Sequence, residues 1–296
     1  MSQPSSYCFL INCASNAHRA GSFFKAKESF LSSRFPGSEF IYIRENDSIQ
    51  EIAAIKAQIF SHIVACGGDG TVSQVANGII DTKAILGVIP LGSGNDFAQS
   101  IGLSGSFEQA IKVLSENSVS AIDAISTDAR HVLNTFGIGV DGSTNYYAAK
   151  SSFKSGFIRY FIGGLKALIQ SKPFSLQLKT DGKTVEVPQK VWMVTLANGK
   201  NEGGRYMVSP TSDHADGVVE IVVVNSVSRY SLIVEFIKLS LGIPFKNGVT
   251  NTFSAEKSIE LEVNPSQRVH ADGEQLAPFI RGKFIIKASK ISVVTV

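Results

Sequence analysis

Up to about residue 125, short apolar runs recur with helical stretches between them. "SYCFLIN" (6–12), "EFIYI" (39–43), "SHIVACG" (61–67) and "AILGVIP" (84–90) are runs of strand length. The stretch after the first run and the segment Thr71–Ile80 carry a helical pattern. Strands spaced by helices predict βαβ units and a parallel sheet. Beyond Asp123 the texture shifts to β-branched segments: "HVLNTFGIGVD", "FSLQLKT", "TVEVP", "KVWMVTLAN", "GVVEIVVVN" and "SIELEV". The DG pair inside "LKTDGKTVEV" predicts a hairpin turn. The pattern therefore predicts an α/β domain over 1–125 and a mainly antiparallel β domain over 126–285, with helices near 145–170 and 228–242.

Length and composition fit that division. The chain has 296 residues, 44% hydrophobic and 18% charged, which is the composition of a packed globular protein. A net charge of +3 permits anionic ligands or surfaces without pointing to nucleic acid. Cys8, Cys13 and Cys66 follow no metal spacing and read as free thiols in a reducing compartment. The first residues lack a basic leader region, and Lys166, Glu235 and Lys238 interrupt the most apolar later segments. The expectation is a soluble, cytoplasmic protein.

The third apolar run ends in Gly67-Gly68-Asp69-Gly70, and a helical pattern begins near Thr71. Glycines let the backbone approach an anion, and amides at a helix start favour negative charge there. A carboxylate at such a turn fits a divalent cation beside a phosphate; the alternative is a tight strand–helix turn with Asp69 as a cap. The fourth run ends similarly, in "GVIPLGSGNDFAQSIGL", where Gly92 and Gly94 flank Ser93 and Asn95-Asp96 suit a helix cap. Two such strand ends converge on one crevice at the carboxyl edge of a parallel sheet. Neither G-x-x-x-x-G-K-[ST] nor a G-x-G-x-x-G after the first strand is present.

"GGDGT" followed by "IPLGSGNDFAQSIG" resembles the diacylglycerol kinase catalytic family, which includes bacterial soluble lipid kinases and the sphingosine and ceramide kinases. The first motif is shared with NAD kinases and, loosely, phosphofructokinases; the second, with its G-[ST]-x-N-D-F-A core, is more specific. "FGIGVDG" (136–142), "ANGKNEGGRYMVSPTSDHADGVVEI" (197–221) and "HADGE" (270–274) follow in the family's order. The resemblance covers nearly the whole chain.

That resemblance implies an N-terminal α/β domain for ATP, a C-terminal β-sandwich and an active site between them, with residues 286–296 returning to the first domain. It implies transfer of the ATP γ-phosphoryl to a lipid hydroxyl, most readily diacylglycerol to phosphatidic acid, with Mg²⁺. Glu274 would be the general base, and Asp69 would link to the nucleotide's Mg²⁺ through water. Asn12, Ser15, Asn16, Gly67, Gly68, Gly70, Thr71, Ser93 and Asn95 fall at nucleotide positions, and Asp96 and Asp123 would extend the acidic network. Asp213, Asp216 and the carbonyl of Val218 match the segment that holds a structural Mg²⁺ in bacterial members. Plain alternatives stand beside each: a type I turn at 272–274, a helix cap at Asp96, a solvated strand end at Asp123, and a solvated loop at 213–218.

The chain departs from the family at two places. After the first strand, Cys13 stands where Pro is usual and Asn16 where Gly is usual. The usual Thr after the second strand is replaced near Arg44. The segment 145–172 carries five basic residues and no acidic one, among aromatics, with Lys150 and Lys154 one turn apart. It suits either peripheral contact with an anionic bilayer or packing on the sandwich with a solvated basic face. His270 and His214 read as a structural and a solvated histidine, and Trp192 as core. A sphingoid-base kinase, an NAD kinase-like enzyme and a non-catalytic nucleotide- or lipid-binding protein remain as alternative functions. Oligomeric state stays open, a homodimer included.

Overall fold

In the computed structural model, which describes residues 6–103, 105–153, 155–204 and 206–296, the early apolar runs are strands, three of them buried on both faces and the run 39–43 a partly exposed edge strand. The chain divides into one unit of Met1–Ile122 with Ser289–Val296 and another of Asp123–Ala288.

The first unit runs β1 (Tyr7–Asn12), a short turn segment α1 (Ser15–His18), α2 (Ala20–Arg34), β2 (Glu39–Ile43), α3 (Ile49–Lys56), β3 (His62–Gly67), α4 (Asp69–Ile79), β4 (Ile85–Pro90), α5 (Asp96–Ser100) and α6 (Phe107–Glu116). The strands pair in parallel in the order β2-β1-β3-β4. Phe9, Leu10, Ile11, Val64, Ala65, Leu86 and Ile89 are buried, which is why these segments read as continuous apolar runs and not as alternation. Ser48 and Ser106 cap α3 and α6 by accepting the N–H of Glu51 and Gln109. The segment α1 is not a regular helix, since Asn16, Ala17 and His18 have φ of 52°, 52° and 64°. The last residues of the chain join this unit, with Val293 beside Leu86 in parallel register.

β5 (Val119–Ser126) carries the chain onward to β6 (His131–Val132), β7 (Thr135–Gly139), α7 (Val140–Ala149), α8 (Gly156–Gln170), β8 (Ser175–Thr180), β9 (Lys183–Val185), β10 (Val191–Ala197), β11 (Asn201–Glu202), β12 (Tyr206–Met207), β13 (Val219–Asn225), α9 (Arg229–Ser240), β14 (Thr250–Ala255), β15 (Ser258–Gln267), β16 (Val269–Ala271), β17 (Glu274–Gln275) and β18 (Phe279–Val294). One antiparallel sheet of the second unit has the order β14-β13-β10-β7-β16-β17, and β18, β15, β8 and β9 form an opposing antiparallel layer. Phe136, Val194, Phe174, Leu261 and Phe284 share the core between these layers. The other face of the first sheet is covered by helices, through Trp192, Val222, Leu168 and Leu232. This is a β-sandwich with a helical third layer.

Two boundaries differ from the sequence pattern. "FGIGVD" leaves the strand at Gly139, whose φ of 83° turns the chain directly into α7. The single helix expected near 145–170 is two, since Ser151–Phe153 interrupt it and Ser155 caps α8 afresh. Lys154 lies outside the described residues. Among the described residues no helix is long and apolar enough to cross a membrane.

Candidate active site

In the first unit, β3 and β4 end side by side at two glycine-rich loops. Leu91 N–H donates to Gly67 O at 2.8 Å, extending the strand pairing into the loops. A Cβ on Gly92 would lie 2.7 Å from Gly68 Cα and 2.8 Å from Asn95 Oδ1, so only glycine allows this approach. The helix α4 begins at Asp69, two residues earlier than the pattern suggested. Gly68, not Asp69, occupies the N-cap position of α4. Asp69 Oδ2 accepts the Asn95 N–H at 2.8 Å and its Oδ1 the Phe97 N–H at 3.2 Å, so Asp69 clasps the second loop and the start of α5.

Asn95 sits in the left-handed region (φ 55°), and its side chain closes a local turn: Oδ1 accepts Gly92 N–H at 2.8 Å and Nδ2 donates to Gly92 O at 3.0 Å. At the end of β1, Asn12 Nδ2 donates to Thr71 Oγ1 at 2.9 Å, and Asn12 Oδ1 accepts Ala14 N–H at 3.0 Å. Asn12, Gly67, Gly68, Asp69, Thr71 and Asn95 are thus tied together at one edge of the parallel sheet, with Gly70 in the first turn of α4. Ser15 and Asn16 follow β1 in α1, Ser93 is exposed in the second loop, and Asp96 opens α5.

In the second unit, Glu274 begins β17 directly after the turn Asp272–Gly273. Both turn residues have positive φ, 48° and 80°, and Ala271 pairs with Glu274. This is the primed hairpin geometry that the DG pair favours, not a type I turn. The two acids of the motif are in different situations. Asp272 is buried, and its carboxylate accepts the N–H groups of Leu133 (3.0 Å), Asn134 (2.8 Å) and Thr135 (3.3 Å). Glu274 is partly exposed and pairs with Arg130 Nη1 at 2.5 Å. Asp272 is built into the fold; Glu274 is presented from it.

Behind this turn lies a group that the sequence did not reveal. His270 is fully buried, with Nε2 3.1 Å from Asp141 Oδ1 and 2.7 Å from Glu202 Oε1. Asp141 Oδ2 also accepts Thr195 Oγ1 at 2.5 Å. His270 Nδ1 faces the Gly273 N–H at 3.3 Å, so that when the ring is neutral its proton sits on Nε2, toward the carboxylates. Burial, then the charge of Asp141, pushes the Glu202 carboxyl up to about 7. Burial opposes charge on Asp141 too, but His270 and Thr195 outweigh it and hold that carboxyl low. On His270 burial is likewise outweighed, by Glu202 and Asp141, and the ring is raised well above its ordinary value. Gly137 leaves room for the cluster: a Cβ there would lie 2.2 Å from Asp141 Oδ2 and 2.3 Å from His270 Nε2.

Asp141 and Glu202 also line a narrow cavity of about 60 Å³ whose other walls are largely apolar, including Leu168, Met193, Leu232, Phe236 and Leu239.

The loop before β13 holds the remaining expected site residues. Asp213 Oδ1 accepts Ala215 N–H at 3.1 Å and Asp216 Oδ1 accepts Val218 N–H at 2.9 Å. Both acids are exposed, and each keeps its second oxygen. Asp123 is bound to this same loop: its Oδ2 accepts Gly217 N–H at 2.6 Å and its N–H donates to His214 O at 2.7 Å. His214 is half-buried, which lowers its pKa. Asn198 Oδ1 and Ser209 Oγ, in the same 197–221 motif, are buried with no hydrogen-bond partner.

The model of the diacylglycerol kinase catalytic domain matches residues 6–127, and that of the YegS C-terminal NAD kinase beta sandwich-like domain matches residues 134–286. The chain belongs to the diacylglycerol kinase family. Membership makes it a kinase of the lipid-kinase type. The diacylglycerol kinase of Mycobacterium tuberculosis is 29% identical over 239 residues, covering 79% of this chain and 76% of that one. The diacylglycerol kinase of Bacillus subtilis is 26% identical over 242 residues, covering 79% and 78%. A crystal structure of a diacylglycerol kinase from Bacillus anthracis shares the fold, with a TM-score of 0.77 at 20% identity over 100% of this chain and 98% of that one.

Sequence reasoning missed Arg130, Asp141 and Glu202. Arg130 stands far from the DGE motif in the chain, and nothing local marks it. "FGIGVDG" contains Asp141 and "ANGKNEGG" contains Glu202, so the motifs were visible while the pairing was not.

Proposed function

We propose that this chain transfers the γ-phosphoryl of ATP to a lipid hydroxyl, with diacylglycerol as the favoured acceptor and phosphatidic acid as product. The observation that carries this reading is Glu274, presented partly exposed from the DGE hairpin and held by Arg130, in a chain of the diacylglycerol kinase family.

The clasped glycine loops supply backbone amides and a helix start for nucleotide phosphates. Asn12, Ser15, Asn16, Thr71, Ser93 and Asn95 border that position, and Asp96 adds negative charge to it. Asp69 fits a water-mediated link to Mg²⁺, because it places a carboxylate between the two glycine-rich loops that would hold the phosphates. When bound, Mg²⁺ supplies neutralisation of the charge that gathers on the phosphates. Glu274 accepts the proton of the attacking hydroxyl, and its pairing with Arg130 orients the carboxylate for that step. In the 209–218 loop, the outward oxygens of Asp213 and Asp216 and the Val218 carbonyl suit a second, structural Mg²⁺; the unpartnered oxygens of Asn198 and Ser209 leave polar capacity in the same motif.

A sphingoid base is the second reading, because the family that the sequence motifs resemble also includes sphingosine kinases. The test is turnover of radiolabelled ATP by the purified protein with diacylglycerol, monoacylglycerol, phosphatidylglycerol, sphingosine, ceramide and NAD. Labelled phosphatidic acid is the expected product. Labelled sphingosine or NAD would replace the acceptor named here, and no labelled product from any of them would leave a binding protein.

A further inference from the structure

The two helices that wall the cavity, α8 and α9, are apolar on both sides. Inward they contribute Tyr160, Leu168, Leu232, Phe236 and Leu239 to the cavity. Outward, α8 presents Ile158, Ile162, Leu165 and Ile169, at spacings i, i+4, i+7 and i+11. The neighbouring α9 and its end repeat the spacing with Tyr230, Val234, Ile237 and Leu241. Such a stripe ordinarily faces a core. Here Ile158 is 41% exposed, Ile169 65%, Tyr230 79%, Ile237 41% and Leu241 71%. Phe153, Phe157 and Ile243 add to the same segments, so that eight of the fourteen large exposed hydrophobics among the described residues belong to them.

The two helices are held as one surface. Arg229, at the start of α9, donates to the carbonyls of Leu168, Ile169 (2.6 Å) and Ser171 (3.1 Å) at the end of α8. The rings of Phe161 and Phe236 stack at 5.7 Å, and the bare Gly164 receives Phe236 against the α8 backbone.

Charge identifies the occupant. Residues 145–172 hold five basic residues and no acidic one, and 226–250 add Arg229, Lys238 and Lys246 against Glu235 alone. Glu235 is buried, bonded to Lys238 Nζ at 2.8 Å and to the Lys246 N–H at 2.9 Å, so the Glu235 and Lys238 charges offset each other and Arg229 and Lys246 remain as the surplus. A second copy of this chain would bring the same positive sign to the same face. An anionic lipid surface supplies both the apolar phase and the opposite charge.

We propose that α8 and α9 together form a membrane-docking face that seats the second unit on an anionic bilayer, with both outer stripes in the headgroup–acyl boundary. The proposal gives the lipid-kinase reading its access to substrate, but its test contains no nucleotide and no turnover, so the two fail separately.

The test is cosedimentation of the protein with phosphatidylcholine vesicles, with and without phosphatidylglycerol. The expected result is binding to the phosphatidylglycerol vesicles at least about tenfold stronger than to neutral ones, weakening with salt. The double variant Ile169→Asp/Ile237→Asp, one change in each stripe, should lose that binding by about tenfold or more with an unchanged circular dichroism spectrum. Ile55→Asp, at a residue 63% exposed on α3 in the first unit, should bind as the wild type. Absence of binding to anionic vesicles, or equal binding by the double variant, overturns the proposal. So does a wild-type dimer in analytical ultracentrifugation that the double variant converts to monomer, because the face would then belong to a second copy. If the double variant does not fold, Lys166→Glu/Lys172→Glu, at exposed positions of the same face, must weaken anionic binding, or the proposal falls.

Discussion

Asp69 Oδ2 accepts the backbone N–H of Asn95 at 2.8 Å, joining the two glycine-rich loops through one carboxylate. The bond gives Asp69 a structural task besides any link to a cation, and substitution separates the two. Asp69→Asn retains one acceptor oxygen and loses the charge. Losing one of the two clasping bonds should cost about 1–2 kcal/mol of stability, seen as a modest fall in Tm. Loss of a charge that acts on the nucleotide's cation should cost about 3 kcal/mol or more in the transition state, which is about a hundredfold or more in turnover. Normal turnover in a folded but less stable variant would leave Asp69 with the clasp alone.

The DGE hairpin makes a paired prediction, because its two carboxylates are held so differently. Glu274→Gln removes a partly exposed ion pair, so its stability should change by less than about 1 kcal/mol. Its turnover should fall by roughly 10²–10⁴, with nucleotide affinity by calorimetry near wild type. Asp272→Asn instead confronts three backbone N–H groups with a single acceptor oxygen and should cost about 2–3 kcal/mol of stability. Melting temperature and turnover should therefore rank the two variants in opposite order. A Glu274→Gln enzyme that turns over within a few-fold of wild type removes Glu274 from the role of base.

Much of this was legible in the chain, for physical reasons. A strand buried on both faces, such as His62–Gly67, must be apolar throughout, and a sandwich strand such as Ser175–Thr180 must alternate. Both periods survive in sequence. Gly92 is fixed by its approach to Gly68 and the Asp272–Gly273 pair by its positive φ, so backbone demands also leave local marks. Partners brought together by the fold leave none. Arg130 reaches Glu274, and His270 joins Asp141 and Glu202, only because β7, β16 and the β11 hairpin come together in space. The start of α7 was missed because Val140 is as much a strand residue as those before it, and only the left-handed Gly139 marks the break.

If the 209–218 loop binds a divalent ion, Mg²⁺ should raise Tm without nucleotide, by mass action on the folded state. At one hundred times Kd the gain is about 2.7 kcal/mol, a shift of several degrees. Asp216→Ala removes one of the two outward carboxylates and should shrink that shift severalfold, with lowered activity and no change in nucleotide affinity. Nucleotide must be omitted, since its own complex with Mg²⁺ would add a shift. Equal Mg²⁺ responses in the two proteins would make 213–218 a solvated loop whose bonds to Asp123 are its whole function.

The His270 cluster predicts how stability depends on pH. Burial and the charge of Asp141 push Glu202 up to about 7 from an ordinary value of 4.5. An acid whose folded pKa exceeds its unfolded one holds its proton more tightly in the native state, so its stabilisation is complete below about 4.5 and is lost as pH climbs to about 7. His270 acts in the same direction, with its stabilisation full below 6.5 and lost as pH rises through its raised folded value. Asp141, held low, gives stability that is lost only as pH falls through its folded pKa, below this window. Tm should therefore decline from about pH 5 to about pH 8, with the Glu202 share bounded at about 3 kcal/mol. Glu202→Gln is neutral throughout and keeps the length of the side chain, so its decline should be shallower, and its Tm should approach or exceed wild type at the alkaline end. Scanning calorimetry of both proteins across that range is the measurement. Parallel curves would mean that Glu202 does not titrate between the two states, and that its protonation behind the DGE turn is the same at every pH tested.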